Sequence, residues 1–127
     1  MIGLLIVEDN EIVRNGLVRF LSEDPNIHIA GEAENGAHAI KQLIASTAVD
    51  VVLVDWNMPD MDGLTLTRLL TVQCPKIKVI ILTMHSNPDY KAKAKMAGAK
   101  GYVLKDVDME KLIEAIKAVA GGREVFM

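Results

Sequence analysis

The sequence predicts an α/β domain with a doubly wound, five-stranded parallel sheet covered by helices on both faces. Three observations predict it. Short runs of aliphatic and β-branched residues alternate five times with stretches of helical periodicity along the 127 residues. Most of those runs are continuously apolar rather than alternating, as strands buried on both faces must be. The connections are only a few residues long, so each crossover between parallel strands is a single helix, right-handed by the coupling of strand twist and helix handedness.

The first strand is "LLIV", Leu4–Val7, followed by Val13, Leu17, Phe20 and Leu21 at helical spacing. "IHIAGEAE", Ile27–Glu34, alternates as a strand does, and Asn35-Gly36 then turns the chain. Ala37, Ile40, Leu43 and Ile44 form the next helical stripe. "VVLV", Val51–Val54, is the third strand, and Leu66, Leu69 and Leu70 give the third helix its apolar face. "KVIILT", Lys78–Thr83, and "GYVLK", Gly101–Lys105, complete the strands, with Leu112, Ile113, Ile116 and Val119 as the last stripe. The segment between these two strands, Asn87–Lys100, is different, because its apolar members are mostly alanines. Burying a large aliphatic side chain contributes ~1.5–3 kcal/mol and an alanine far less. Tyr90 and Met96 are its large apolar anchors, so the segment reads either as an ordinary solvated helix or as a weakly held one able to shift.

Composition narrows the classes of function. The chain has the size of one domain, with 50% apolar and 24% charged residues, which is globular rather than disordered. A net charge of −3 leaves no electrostatic footprint for nucleic acid or an anionic membrane. Cys74 is the single cysteine, so no internal disulfide forms; it reads as a small packed hydrophobe in a reducing compartment. "MIGLLIVEDN" lacks a basic leader and a small-residue cleavage site, and no apolar stretch reaches membrane-spanning length. A cytoplasmic location is expected.

In a doubly wound sheet, ligands bind beyond the carboxyl ends of the strands. The first strand ends at Glu8-Asp9, the third at Asp55, the fourth at Thr83 and the fifth at Lys105. Two like charges ~4 Å apart repel by about 4 kcal/mol at an effective dielectric near 20. Lys105 alone does not balance three carboxylates. A hard divalent cation would, and a small oxygen-lined site suits Mg²⁺. A metal and a lysine beside an aspartate are the parts that hold a transferring phosphoryl group. Asp55 would then be the nucleophile, forming an acyl phosphate, with Thr83 donating to one phosphoryl oxygen. Singly, each residue has a plainer reading: the acids as helix caps, the lysine as surface, the threonine as an ordinary strand residue. The combination at four strand tips weighs against those readings.

The stretches "LLIVEDN", "VVLVDWNMPDMDG", "VIILT" and "GYVLKD" resemble, in order and spacing, the receiver domain of bacterial two-component response regulators, over essentially all of residues 1–127. "KDVD" and "AIKAVAGGREVF" further resemble the NarL/LuxR-type branch, whose receivers precede a helix-turn-helix DNA-binding domain; such a domain would lie beyond residue 127, outside this chain. The resemblance implies the flavodoxin-like (βα)5 fold with strand order 2-1-3-4-5. It implies a switch that takes a phosphoryl group on Asp55 from a sensor histidine kinase or a small acyl phosphate. It assigns Asp9 as a direct Mg²⁺ ligand with Glu8 nearby through water, Asp55 and the backbone carbonyl of Asn57 as further ligands, and Mn²⁺ as a substitute metal. Lys105 would pair with the phosphoryl oxygens, Thr83 would move towards them, and Tyr102 would be the aromatic that changes rotamer. By periodicity alone Tyr102 is a half-buried strand residue. Transcription control is the implied output, direct nucleic-acid binding by this chain is not implied, and a homodimer is compatible with the family.

Two departures carry consequences. Many receivers have proline after the lysine, often with a cis bond; here Asp106 follows Lys105. A cis bond before a non-proline residue costs about 2.5–4 kcal/mol, so a trans bond is expected. Glu8 stands where Asp is more frequent, which is tolerable if it need not touch the metal. Asn57, Met84 and His85 flank Asp55 and Thr83 at positions that, in the family this chain resembles, tune how fast the phosphoryl group is lost. Among other classes, a phosphatase of the haloacid dehalogenase type needs a second Asp as proton donor, where this chain has Asn57, and a cap domain. A nucleotide or flavin module needs a phosphate cradle after the first strand, which "EDNEIV" does not supply. A receiver that never takes phosphate would lack a key residue, and none is missing.

Overall fold

A computed structural model describes residues 1–46 and 48–127. Strands β1 (Ile2–Val7), β2 (Ile27–Ala33), β3 (Val51–Asp55), β4 (Lys78–Thr83), β5 (Gly101–Leu104) and β6 (Val125–Phe126) alternate with helices α1 (Glu11–Leu21), α2 (Gly36–Ala45), α3 (Gly63–Gln73), α4 (Pro88–Met96) and α5 (Met109–Ala120) up to β6. The sheet is parallel throughout, in the order β2-β1-β3-β4-β5-β6.

The period-two geometry of a strand divides each apolar run between two layers. Leu4, Ile6, Val51, Leu53, Ile80, Leu82 and Val103 pack with Leu17 and Leu21 of α1 and Leu112, Ile116 and Val119 of α5. Their alternates Leu5, Val7, Val52, Val54, Val79, Ile81 and Tyr102 pack with α2, α3 and α4 through Leu43, Leu66, Leu70 and Ala94. Continuous hydrophobic runs are therefore what two covered faces require. Each helix opens on a side-chain cap: Asn10, Asn35, Asp62, Asn87 and Asp108 each accept from an amide of the first turn.

Five strands in the order 2-1-3-4-5 are expected from the sequence; the sheet has a sixth. Two residues are too short to register as an apolar run. The chain leaves α5 through Gly122, at φ +97°, a conformation that favours glycine. Val125 then donates to the Lys100 carbonyl at 2.9 Å and Met127 to that of Tyr102 at 2.9 Å, covering part of the outer edge of β5. Other corrections concern single side chains. Ile44 is 80% exposed and Phe20 and Val13 are partly so, each lying at the margin of its helix's apolar stripe. Met96, expected to anchor α4, is 89% exposed at its last turn. Ala94 is the buried residue within that helix, which makes α4 more weakly held than its composition suggests. Tyr102 is fully rather than half buried. The Lys105–Asp106 bond is trans, as expected. Cys74 is free and half-buried against the core.

Candidate functional site

The chain steps from β1 to β2 on one side and returns to place β3 on the other, so a crevice opens between the tips of β1 and β3. Glu8 and Asp9 follow β1, Asp55 ends β3, Thr83 ends β4 and Lys105 follows β5. All five residues named from the sequence therefore lie along one edge. One carboxylate oxygen each from Glu8, Asp9 and Asp55 lies within 4.8 Å of the others. Lys105 Nζ stands 3.1 Å from Asp55 Oδ1 and 3.2 Å from Glu8 Oε1. The Asn57 amide donates to Asp55 Oδ1 at 3.3 Å, which puts this exposed residue at the rim of the crevice.

Burial sets the electrostatics. Glu8 and Asp55 are 2% and 5% exposed, whereas Asp9 is open to solvent. Burial, then the neighbouring Asp55 charge and hydrogen bonds to Asp9 and Asp55, push the Glu8 carboxyl up from 4.5 to about 7. Burial alone would push the Lys105 ammonium down, but Asp55 and Glu8 more than offset it and hold it above its ordinary value. At neutral pH the Glu8 carboxyl thus holds a proton part of the time, beside the Lys105 ammonium. The donor set (three clustered carboxylates with one open to water) fits a hard divalent ion such as Mg²⁺.

The loop after Asp55 is held in place at two points. Gly63 donates to the Trp56 carbonyl at 2.8 Å. A Cβ at Gly63 would lie 2.5 Å from the Asp55 carbonyl oxygen and 3.0 Å from the Trp56 Cα, so only glycine lets the loop close over the end of β3. Asp60 accepts from the amides of Gly36 and Ala37, both at 3.1 Å, at the N-terminus of α2. Desolvation pushes its carboxyl up, and the backbone amides more than offset this and hold it below the ordinary carboxylate value.

The sequence does not reveal what surrounds Thr83 and Tyr102. Both converge on the backbone of His85: its amide donates to Thr83 Oγ1 at 3.1 Å, and its carbonyl accepts from the Tyr102 hydroxyl. The His85 ring stacks on Tyr90 of α4 at 4.3 Å. Trp56, next to Asp55, meets Tyr90 edge-on at 5.1 Å and Tyr102 at 6.5 Å. Tyr90 is therefore the large side chain tying α4 to the strand that carries Asp55. The place of Trp56 after Asp55 is a visible signal, but its ring contacts are tertiary.

A family model described as "Response regulator receiver domain" matches residues 4–117. Response regulator UvrY of Escherichia coli is 40% identical over 123 residues, covering 97% of this chain and 56% of that protein. The DNA-binding transcriptional activator DevR/DosR of Mycobacterium tuberculosis is 37% identical, covering 98% of this chain and 57% of that protein. Among solved structures, the signal receiver domain of the putative response regulator NarL of Mycobacterium tuberculosis superposes with a TM-score of 0.89 at 31% identity, covering 96% of this chain and 98% of that one. The chain spans about half the length of the curated relatives it matches. The doubly wound sheet agrees with the matched structure, and the chain belongs to the receiver-domain family of two-component response regulators.

Proposed function

We propose that this chain is a phosphorylation switch in which Asp55 accepts a phosphoryl group from a sensor histidine kinase. The observation that carries the reading is Asp55 itself: a carboxylate delivered by a core strand, 3.1 Å from Lys105 and clustered with Glu8 and Asp9. An Asp55 carboxylate oxygen attacks phosphorus, the bond from phosphorus to the donor breaks, and its electron pair leaves with the donor. Lys105 stabilises charge on the phosphoryl oxygens, and Thr83 donates to one of them. Glu8, Asp9, Asp55 and the Asn57 carbonyl would hold Mg²⁺ (or Mn²⁺), with Glu8 acting through water. When bound, the metal supplies neutralisation of the phosphoryl oxygens.

Thr83 Oγ1 accepts from the His85 amide, so drawing Thr83 to a phosphoryl oxygen removes one of the two bonds holding His85. The Tyr102 hydroxyl and the Tyr90 stack are then free to repack, and α4 moves with them. Shifting a two-state balance from 1:99 to 99:1 takes about 5.5 kcal/mol of differential affinity. A single charge-assisted hydrogen bond at ~1.5–3 kcal/mol falls short, so Lys105, Thr83 and Tyr102 act together. Thr83→Ala is expected to accept phosphate but to leave amide exchange in α4 unchanged on phosphorylation. A full change in α4 exchange in that variant would refute the coupling.

The relatives' names place their own output at transcription, and in the whole protein a DNA-binding domain would read the switch. A reducing cytoplasm suits the single cysteine, and no helix among the described residues is long and apolar enough to cross a membrane. The test of the reading is intact mass after incubation with Mg²⁺ and acetyl phosphate. Wild type gains one phosphoryl group and Asp55→Asn gains none; an equal gain in both would place the chemistry elsewhere.

A further inference from the structure

Arg14, on the first turns of α1, takes no part in the phosphoryl chemistry, yet it is anchored directly behind the acid pair. Its Nη1 donates to the backbone carbonyl of Glu8 at 2.7 Å, and its Nε to Glu32 Oε1 at 3.3 Å. The guanidinium is largely covered, with its side chain 15% exposed, while Glu32 is 42% exposed. A half-exposed ion pair contributes little, so the Glu32 contact alone does not account for ordering Arg14. The short bond to the Glu8 carbonyl is the informative one.

The Glu8 carbonyl and the Asp9 amide belong to one rigid peptide plane. Fixing the carbonyl therefore fixes the Asp9 Cα, the point from which its carboxylate leaves the chain. The same loop is held on its other sides as well. The Glu8 amide donates to the Ala33 carbonyl at 3.0 Å, and the Asn10 amide donates to Glu8 Oε2 at 3.3 Å. Glu8 is thus pinned at its amide, carbonyl and carboxylate, and the exposed Asp9 takes its Cα position from that plane.

We infer that Arg14 is a positioning residue for the Asp9 carboxylate, and so for divalent-cation binding at this edge. The inference rests on the Mg²⁺ reading of the proposed function. Arg14 carries a positive charge, and a cation there opposes a divalent ion by field alone. The two possible roles of Arg14 therefore have opposite signs. If its fork positions the loop, losing it weakens Mg²⁺ binding; if only its charge matters, losing it tightens binding. Lysine keeps the charge and loses the planar fork.

The test titrates Mg²⁺ into the full chain and follows Trp56, the single tryptophan, with a Mg²⁺-dependent rise in melting temperature as the second readout. Arg14→Lys and Arg14→Gln are both expected to bind Mg²⁺ about tenfold more weakly, the loss typical of an outer support of a metal site. Wild-type affinity in Arg14→Lys, or tighter binding in Arg14→Gln, would overturn the inference. Should one variant unfold, the other decides by the same titration: weaker binding than wild type supports positioning, and equal or tighter binding overturns it. A wild type that shows no response to Mg²⁺ would end the metal reading itself, a result distinct from a wild type and Arg14→Lys that respond alike.

Discussion

Lys105→Met will take up phosphate from acetyl phosphate at least ~100-fold more slowly than wild type, the usual cost of removing one preorganised electrostatic group. Lys105 Nζ lies 3.1 Å from Asp55 Oδ1 and 3.2 Å from Glu8 Oε1, and its ammonium is held charged by both acids. Removing it leaves the three carboxyl groups without the cation paired to Glu8 and Asp55. The same change should not weaken Mg²⁺ binding, and by field alone should strengthen it, because a positive charge has left an acidic site. Slow phosphorylation with undiminished Mg²⁺ affinity separates the role of Lys105 on the phosphoryl group from any role in holding the metal. Stopped-flow Trp56 fluorescence and intact mass, read on one preparation, check both halves. Wild-type phosphorylation rates in Lys105→Met would remove the lysine from the chemistry.

The second large effect is a fall in stability of the metal-free protein as pH rises from about 5 to 7.5. Glu8 ionises near 4.5 when unfolded but near 7 when folded. Between these values the folded state holds a proton that the unfolded chain has lost, so raising the pH favours unfolding. Every tenfold difference in proton affinity between the two states is worth ~1.4 kcal/mol, so the loss is ~3 kcal/mol across the window, on the order of 10 °C in melting temperature. The Asp24 and Asp60 carboxyls are held below their ordinary values, and their contributions are lost only in acid, below this window. Glu8→Gln should flatten the profile. Saturating Mg²⁺ should reverse it, since the ion favours the ionised cluster and stabilises the folded state by mass action. A flat wild-type profile without metal would contradict the burial-driven rise at Glu8.

Much of the fold and the site is legible in the residues because it follows from local pattern. Buried parallel strands must be continuously apolar, so "VVLV" and "VIILT" announce themselves, and the residue that ends each run must lie at the sheet edge. Glu8, Asp9, Asp55, Thr83 and Lys105 are found in that way. What escapes is set by tertiary packing. Met96 and Ile44 sit at helical spacing but on the margin of their stripes, where the helix turns them to solvent. Alanine, read as poor packing in α4, is what is buried there, with Tyr90 holding the helix through ring contacts to Trp56 and His85. β6 has two residues and no periodicity to detect. Arg14 escapes because its partner is a backbone carbonyl, which no side-chain pattern encodes.

The measurement that bears most directly on the central claim is chemical identification of the phosphorylated atom. Protein treated with Mg²⁺ and acetyl phosphate is reduced with borohydride, which converts an acyl phosphate at aspartate to homoserine. The peptides containing Asp9 and Val51–Gly63 are then sequenced by mass spectrometry. Phosphoryl transfer to Asp55 predicts homoserine at residue 55 and unmodified aspartate at residues 9, 60 and 62. Homoserine at another aspartate, or a phosphoryl group on a histidine or hydroxyl that survives reduction, would contradict it.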